Sequence, residues 1–154
     1  MPDGFIPHAA QWIASSAKSD SGWSVRVIRA ERGSLFGAPR VEAPRRFRYI
    51  AITLEYVYRG AAQAELYPDT VALVHIGPSP LQGLSQSPLL FFDEDRGEAH
   101  RLNEEPIAIA VEADRPQCAT FVYEFHQDCR EFRLYFPGCE GMALVVEARP
   151  GADI

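Results

Sequence analysis

Residues 119–136 read ATFVYEFHQDCREFRLYF, and this stretch decides the fold class. Two runs rich in aromatic and aliphatic residues flank a polar turn, and the large side chains occupy alternate positions in each run. A period of two directs one set of side chains to a buried face and the other set to water, as in paired β-strands. The stretch therefore predicts a hairpin of two antiparallel strands.

The same alternation recurs along the chain, between turns that are marked by proline and glycine. In residues 47–58, Ile50, Ile52 and Leu54 share one face and the opposite face is more polar, which indicates a half-buried antiparallel strand. Residues 77–88 contain three prolines and two glycines, so we expect them to be irregular. The absence of a strand–helix alternation argues against a parallel α/β sheet. Further strands are predicted over residues 23–32, 67–76, 89–92, 107–112 and 143–148.

Three segments carry a resemblance to a known family. They are YIAITLEYVYRG at residues 49–60, ELYPDTVALVHIG at 65–77 and RPQCATFVYEFHQDCREFRLYF at 115–136. Over residues 23–147 the chain resembles a family of bacterial immunoglobulin-like domains of unknown function, which is related to the immunoprotective extracellular antigens. The resemblance implies an Ig-like sandwich that is usually attached to or exported through a bacterial envelope, and it implies no catalytic residues. The chain departs from this family because no export signal or lipid-attachment cysteine is visible near its start.

The domain organisation follows from length and from these strands. The length of 154 residues predicts one domain. We expect an all-β fold, an Ig-like antiparallel β-sandwich of seven or eight strands, over residues 22–148. Residues 1–21 are interpreted as an N-terminal arm, with a short helix over 9–17, that docks on the body or on another subunit. Residues 149–154 are expected to be a frayed tail, since a proline and a glycine there would interrupt a strand.

Charge and hydropathy narrow the classes of partner. A net charge of −6 argues against a nucleic-acid partner, because such binding depends on lysine and arginine at phosphates. No apolar run approaches the roughly 20 residues of a transmembrane helix. The sequence as it stands predicts a cytoplasmic protein, whereas an export signal removed from its start would place it outside the cell or at the envelope. One basic patch consists of Arg40, Arg45, Arg46 and Arg48. We interpret it as a solvated edge or as a site for an anionic partner.

The three cysteines leave two arrangements open. If the hairpin turn is centred between Asp128 and Cys129, Cys118 lies opposite Cys139 and a cross-strand disulfide is possible. The alternative is that both are reduced, buried thiols. Arg130 beside Cys129 would lower the pKa of that thiol, but we expect an exposed turn without an oxyanion hole, so no catalytic role is predicted.

Metal and catalytic patterns are weak throughout. The acidic run that begins at Asp93 has Glu98 at the sixth position, where a calcium loop needs glycine, so we interpret it as a solvated turn. No Gly-x-Ser-x-Gly motif and no glycine-rich phosphate loop occurs. We therefore predict no catalytic residue, no metal and no cofactor. The histidines are His8, His75, His100 and His126. No pair of them has the spacing of a zinc motif.

These observations favour a non-enzymatic module that binds a protein partner or its own copy. The contact would be made by a sheet edge, by the loop 77–88 or by the arm. A second hypothesis is a small-ligand or carbohydrate-binding domain that uses exposed tyrosines with Trp12 or Trp23. A third is a metal-dependent hydrolase built around His75, His100 or His126. The candidate interaction residues are Leu81, Leu84, Leu89, Leu90, Trp12, Tyr58 and Tyr67.

Overall fold

The computed structural model describes residues 10–12, 16–18, 22–33, 35–36, 41–60, 63–76, 84–102 and 106–146. Within these ranges the chain forms β-strands, one 3-10 turn at Pro68–Thr70 and no α-helix, so the all-β prediction is confirmed. The strands are β1 Ala10–Trp12, β2 Ser16–Lys18, β3 Trp23–Gly33, β4 Leu35–Phe36, β5 Val41–Glu42, β6 Phe47–Tyr58, β7 Gln63–Leu66, β8 Ala72–His75, β9 Ser85–Gln86, β10 Leu90–Asp93, β11 Glu98–Arg101, β12 Ile109–Glu112, β13 Gln117–His126, β14 Glu131–Tyr135 and β15 Met142–Val146.

Most of these strands belong to two antiparallel sheets. A five-stranded sheet has the order β1-β15-β14-β8-β9, and a six-stranded sheet has the order β11-β10-β13-β6-β3-β2. Two short ribbons, β12–β7 and β4–β5, complete the described pairings. The long strands β3, β6 and β13 are neighbours in the larger sheet. Apolar side chains alternate along each of them, and these side chains are buried when the strands lie together in the sheet.

The inner faces of the two sheets pack against each other. Phe125 on β13 lies 4.9 Å from Phe132 on β14 between ring centroids, so aromatic side chains of the two sheets are in contact. The hydroxyl of Tyr123 on β13 donates a hydrogen bond of 2.7 Å to the carbonyl oxygen of Val71, which precedes β8. Ile52, Leu54, Phe125 and Leu134 are all buried, as the alternation predicts. This arrangement is consistent with a β-sandwich.

The predicted hairpin over residues 119–136 is wrong, although both of its strands exist. β13 pairs with β6 and β10 in the six-stranded sheet, whereas β14 pairs with β15 and β8 in the five-stranded sheet. The four residues between them cross from one sheet to the other. The connection is held by the Arg32 guanidinium, which donates a hydrogen bond of 2.8 Å to the carbonyl oxygen of Gln127. Alternation predicts that one face of each strand is buried. It does not tell whether two successive strands lie in the same sheet or in two sheets that face each other.

Some of the predicted strands match the structure, whereas the predicted helix does not. The strand predicted at residues 47–58 matches β6, and the one at 23–32 matches β3 to within one residue. The helix predicted over residues 9–17 is wrong, because Ala10–Trp12 and Ser16–Lys18 are strands that pair with β15 and β3. The strand predicted at residues 67–76 is shorter, since the 3-10 turn precedes β8. β9 lies within residues 77–88, which were expected to be irregular, and β7 is a short strand that the sequence did not predict.

The outward face of the six-stranded sheet is buried at its centre, which the polar pattern of β6 did not predict. Ala51 and Val122, which are cross-strand neighbours, belong to a second apolar cluster that also contains Ala43, Tyr49 and Leu90. Beside it, the Thr53 and Thr120 hydroxyls lie 2.8 Å apart, and Thr120 donates a hydrogen bond of 2.6 Å to Glu94 Oε1. Because its polar atoms are paired inside this network, the outer surface of β6 can be buried.

The buried tyrosines predict a loss of stability at alkaline pH. Burial raises the pKa of both Tyr56 and Tyr123 above the ordinary value of 10.0. The folded state therefore holds these protons more tightly than the unfolded state, so their contribution is complete below about pH 10 and is lost as pH rises above it. We expect the free energy of unfolding, measured with urea, to fall between pH 9 and 11 by up to about 1.4 kcal/mol per tyrosine and pH unit.

The matched variant is Tyr123→Phe. It should cost about 1 kcal/mol at neutral pH, since the hydrogen bond to Val71 is lost. It should also lose less stability than the wild type between pH 9 and 11. An identical alkaline slope in the two proteins would contradict the predicted coupling.

Candidate interaction surface

The outward face of the five-stranded sheet presents a row of exposed side chains from its central strand. Glu131, Arg133 and Tyr135 alternate with buried Phe132 and Leu134 along β14, so the three share the face that is turned away from the core. Tyr135 retains 40% of its accessible surface, a large value for an aromatic residue. Among the described residues, this row therefore forms an exposed stripe at the centre of the smaller sheet.

Small apolar residues flank the row on both neighbouring strands. On β15, Val145 lies opposite Glu131 and Ala143 lies opposite Arg133; on β8, Val74 lies opposite Arg133. All three apolar residues are half-buried, and they share the outward face because cross-strand partners point the same way. We call this surface the outer face; its residues are Ala72, Val74, Glu131, Arg133, Tyr135, Ala143 and Val145.

Gly141 gives the long side chains of this face room to lie flat. A β-carbon added at Gly141 would collide with the aliphatic stem of Arg133 and would approach Cε1 of Tyr135 to 2.9 Å. Both side chains therefore extend across the sheet toward the start of β15. Both residues nevertheless remain exposed to solvent.

The two charges at the centre of the outer face have opposite signs. Alternate residues of a strand are separated by about 7 Å, so Glu131 and Arg133 stand side by side. Within the described part of the chain neither forms an ion pair. On the six-stranded sheet, by contrast, Arg26 lies 3.2 Å from the cross-strand Glu55.

The edges of the sheets are less suited to binding a further strand. β9 has two residues, and β11 places Glu98 and Arg101 at its ends. β2 pairs with only residues 24–26 of β3, and the following part of β3 contains a bulge between Val27 and Arg29 beside exposed Ile28. Short length, charge and bulges are the features that keep strand edges from pairing with other chains.

The predicted interaction residues do not form one surface. Leu84 and Tyr67 are exposed, with 38% and 48% of their surface accessible, but Leu90 is only 7% exposed and belongs to the second apolar cluster on the other sheet. Tyr58 is half-buried with its ring 5.1 Å from that of Trp23. Leu89 is half-buried and packs against the same cluster as Leu90. Leu81 and the side chain of Trp12 lie outside the described residues.

The aromatic platform expected for a carbohydrate ligand is also mostly interior. Trp23 is buried, and its ring lies 5.4 Å from the ring of Phe136 in the core. Tyr123 is fully buried and Tyr56 nearly so. Core packing therefore accounts for most of the aromatic residues of this chain.

The acidic turn after β10 uses its carboxylates internally. Oδ1 of Asp93 accepts hydrogen bonds of 3.0 and 3.1 Å from the backbone N–H groups of Asp95 and Arg96, and Oδ2 of Asp95 accepts one of 3.0 Å from Cys118 N–H. These bonds fix the turn and its contact with β13. Among the residues that the structure describes, no cluster of three metal-ligating side chains occurs.

The three cysteines are free thiols. The register on which the Cys118–Cys139 pairing depended is absent, because β13 and β14 lie in different sheets and Cys118 pairs with Glu55. Cys129 was expected in an exposed turn but is buried, and burial raises the pKa of its thiol, with Asp128 adding to the effect. Burial also raises the pKa of Cys118 beside Glu94. Neither thiol has the electropositive, accessible setting of a nucleophile.

The three described histidines each have different neighbours. His75 is buried on β8 with its ring 6.0 Å from that of Phe132, while His126 at the end of β13 lies 3.4 Å from Asp128. His100 lies on the edge strand β11, 3.6 Å from Glu98. His8 lies outside the described residues.

Comparison of the chain with protein-family models, with curated proteins and with solved structures finds no match. In the described part of the chain, no helix is long and apolar enough to cross a membrane. The surface of the molecule is therefore the guide to its function.

Proposed function

We propose that this protein is a non-enzymatic module that binds another protein chain through the outer face of its five-stranded sheet. The observation that carries the proposal is the difference between the two sheets. The outward surface of the six-stranded sheet is buried beneath its own chain at Ala51 and Val122. The central strand of the five-stranded sheet instead exposes Glu131, Arg133 and Tyr135.

The composition of the outer face supports protein recognition. Arginine and tyrosine are enriched in protein interfaces, where they combine apolar area with hydrogen-bonding groups. Here Arg133 and Tyr135 are surrounded by Ala72, Val74 and Ala143, whose small side chains allow a close approach. A sheet face that carries long exposed side chains offers contact area to another protein, whereas a small ligand requires a concave site.

The same proposal includes the Ig-like character of the fold. It is supported by two antiparallel sheets that share one apolar core and by the three segments that resemble bacterial immunoglobulin-like domains. Such domains hold sheet faces and loops at fixed positions, which suits binding and assembly. If the resemblance is correct, the partner is a component of the bacterial envelope or a copy of the same chain.

Site-specific photo-crosslinking in cells that produce the protein tests the proposal. A photoreactive amino acid at position 74 or 145 should give a covalent adduct of discrete mass, because both positions lie on the outer face. The matched control is position 110, since Ala110 is exposed on the separate β12–β7 ribbon. Equal adducts from position 110, or none from 74 and 145, would overturn the proposal.

A further inference from the structure

We infer that the partner of the outer face is the outer face of a second copy of this chain, so that the protein forms a two-fold symmetric dimer. The inference rests on the proposed function and names its partner. It is carried by the order of charges on β14, where a single acidic residue, Glu131, and a single basic residue, Arg133, stand next to each other on the exposed side.

A two-fold axis makes these charges complementary. In such an interface, if residue i contacts residue j of the other copy, then j contacts i as well. When two β14 strands face each other in opposite directions with the axis at the level of Phe132, Glu131 faces the partner's Arg133 and Arg133 faces the partner's Glu131. One patch therefore forms two ion pairs with itself.

The space between two facing sheets fits these side chains. Sheets that pack face to face lie about 10 Å apart. In the single chain the stem of Arg133 lies across the sheet over Gly141, so on association its flexible side chain turns away from the sheet to reach the partner's glutamate. The alanines and valines of β8 and β15 flank both charges and contribute apolar contact in the same interface. Tyr135 lies two residues beyond Arg133 on β14 and extends the apolar contact past the two charges.

The net charge of the chain favours self-association through the outer face rather than through more acidic parts of the surface. The chain carries a net charge of −6, so two copies repel each other wherever acidic residues meet. The two charged residues of the outer face cancel locally. Self-association is thus favoured where the surface is neutral and where each charge meets its opposite.

Charge reversal gives a test with internal controls. Arg133→Glu places two acidic residues on the face, and Glu131→Arg places two basic ones, so each variant alone should dimerise at least about tenfold more weakly than the wild type. An equimolar mixture of the two variants should form a heterodimer, because every facing pair is then of opposite sign. The double variant, with both charges exchanged, should recover the dimer. Molar mass from light scattering and sedimentation measures each case.

Several results would overturn the inference. They are a wild type that stays monomeric at all concentrations, variants that dimerise as well as the wild type, and a mixture that does not associate. The control Arg101→Glu reverses an exposed charge on β11 and should leave the dimer unchanged. A crosslink from position 74 or 145 to a different polypeptide, with a monomeric wild type, would overturn self-pairing and retain the proposed function. A cooperative thermal unfolding transition in each variant would show that it remains folded.

Discussion

Removal of residues 1–21 should destabilise the protein and cause it to aggregate. Three residues of the arm pair with β15 at the edge of the five-stranded sheet, and three pair with β3 at the edge of the six-stranded sheet. Loss of these ladders should cost about 3 kcal/mol, or roughly 6–12 °C in melting temperature, at about 1 kcal/mol for each net hydrogen bond. It would also leave the backbone groups of β15 and β3 free to pair with other chains.

The measurement is thermal unfolding together with light scattering. The control is a protein that begins at residue 10, which retains every described residue of β1 and β2. We expect the protein that begins at residue 10 to melt at a higher temperature than the protein that lacks residues 1–21, because both ladders remain. Equal stability and equal mass after removal of residues 1–21 would contradict the role of the arm as an edge strand.

Phe132→Ala should cost about 3–5 kcal/mol of the free energy of unfolding. Phe132 is fully buried on the inner face of β14, and its ring contacts Phe125 of the opposite sheet and lies 6.0 Å from the ring of His75. Truncation would leave a cavity between the two sheets, which their backbones cannot close without losing other contacts. Urea unfolding followed by fluorescence measures the loss.

The matched control is Tyr67→Ala, an aromatic truncation at a residue that retains 48% of its accessible surface. Its hydroxyl donates a hydrogen bond of 2.6 Å to exposed Glu65, and such surface contacts are worth about 0.5 kcal/mol or less. If the two variants lose similar amounts of stability, Phe132 does not lie in the core.

The sequence was a good guide to which residues are buried and a poor guide to which strands are neighbours. The bounds of β6 and the burial of Ile52, Leu54 and Leu134 follow from a period of two. Partners depend on contacts between residues far apart in the chain. Local alternation therefore predicted a hairpin where β13 and β14 diverge, and local propensity predicted a helix where Ala10–Trp12 pairs with a strand more than 130 residues away.

The candidate surface was accessible to sequence analysis only in part. Glu131, Arg133 and Tyr135 stand at alternate positions of the stretch that decided the fold class, so their exposure was predictable. Their grouping with Val74 and Val145 was not, since it depends on the register of β8 and β15 against β14. The sequence also could not show that Ala51 of the opposite sheet is covered by its own chain.

The pairing of β1 with β15 has a consequence for biosynthesis. Ala10 lies opposite Val146, so the earliest described strand to leave the ribosome has to wait for the latest one. The five-stranded sheet cannot be completed until Val146 has been synthesised, so the strands made earlier leave apolar side chains uncovered while the chain is growing. Folds with such sequence-distant contacts form slowly, in about milliseconds to seconds. Uncovered apolar strands make a growing chain prone to aggregation, so we expect this sheet to be the part of the fold most exposed to misassembly during synthesis.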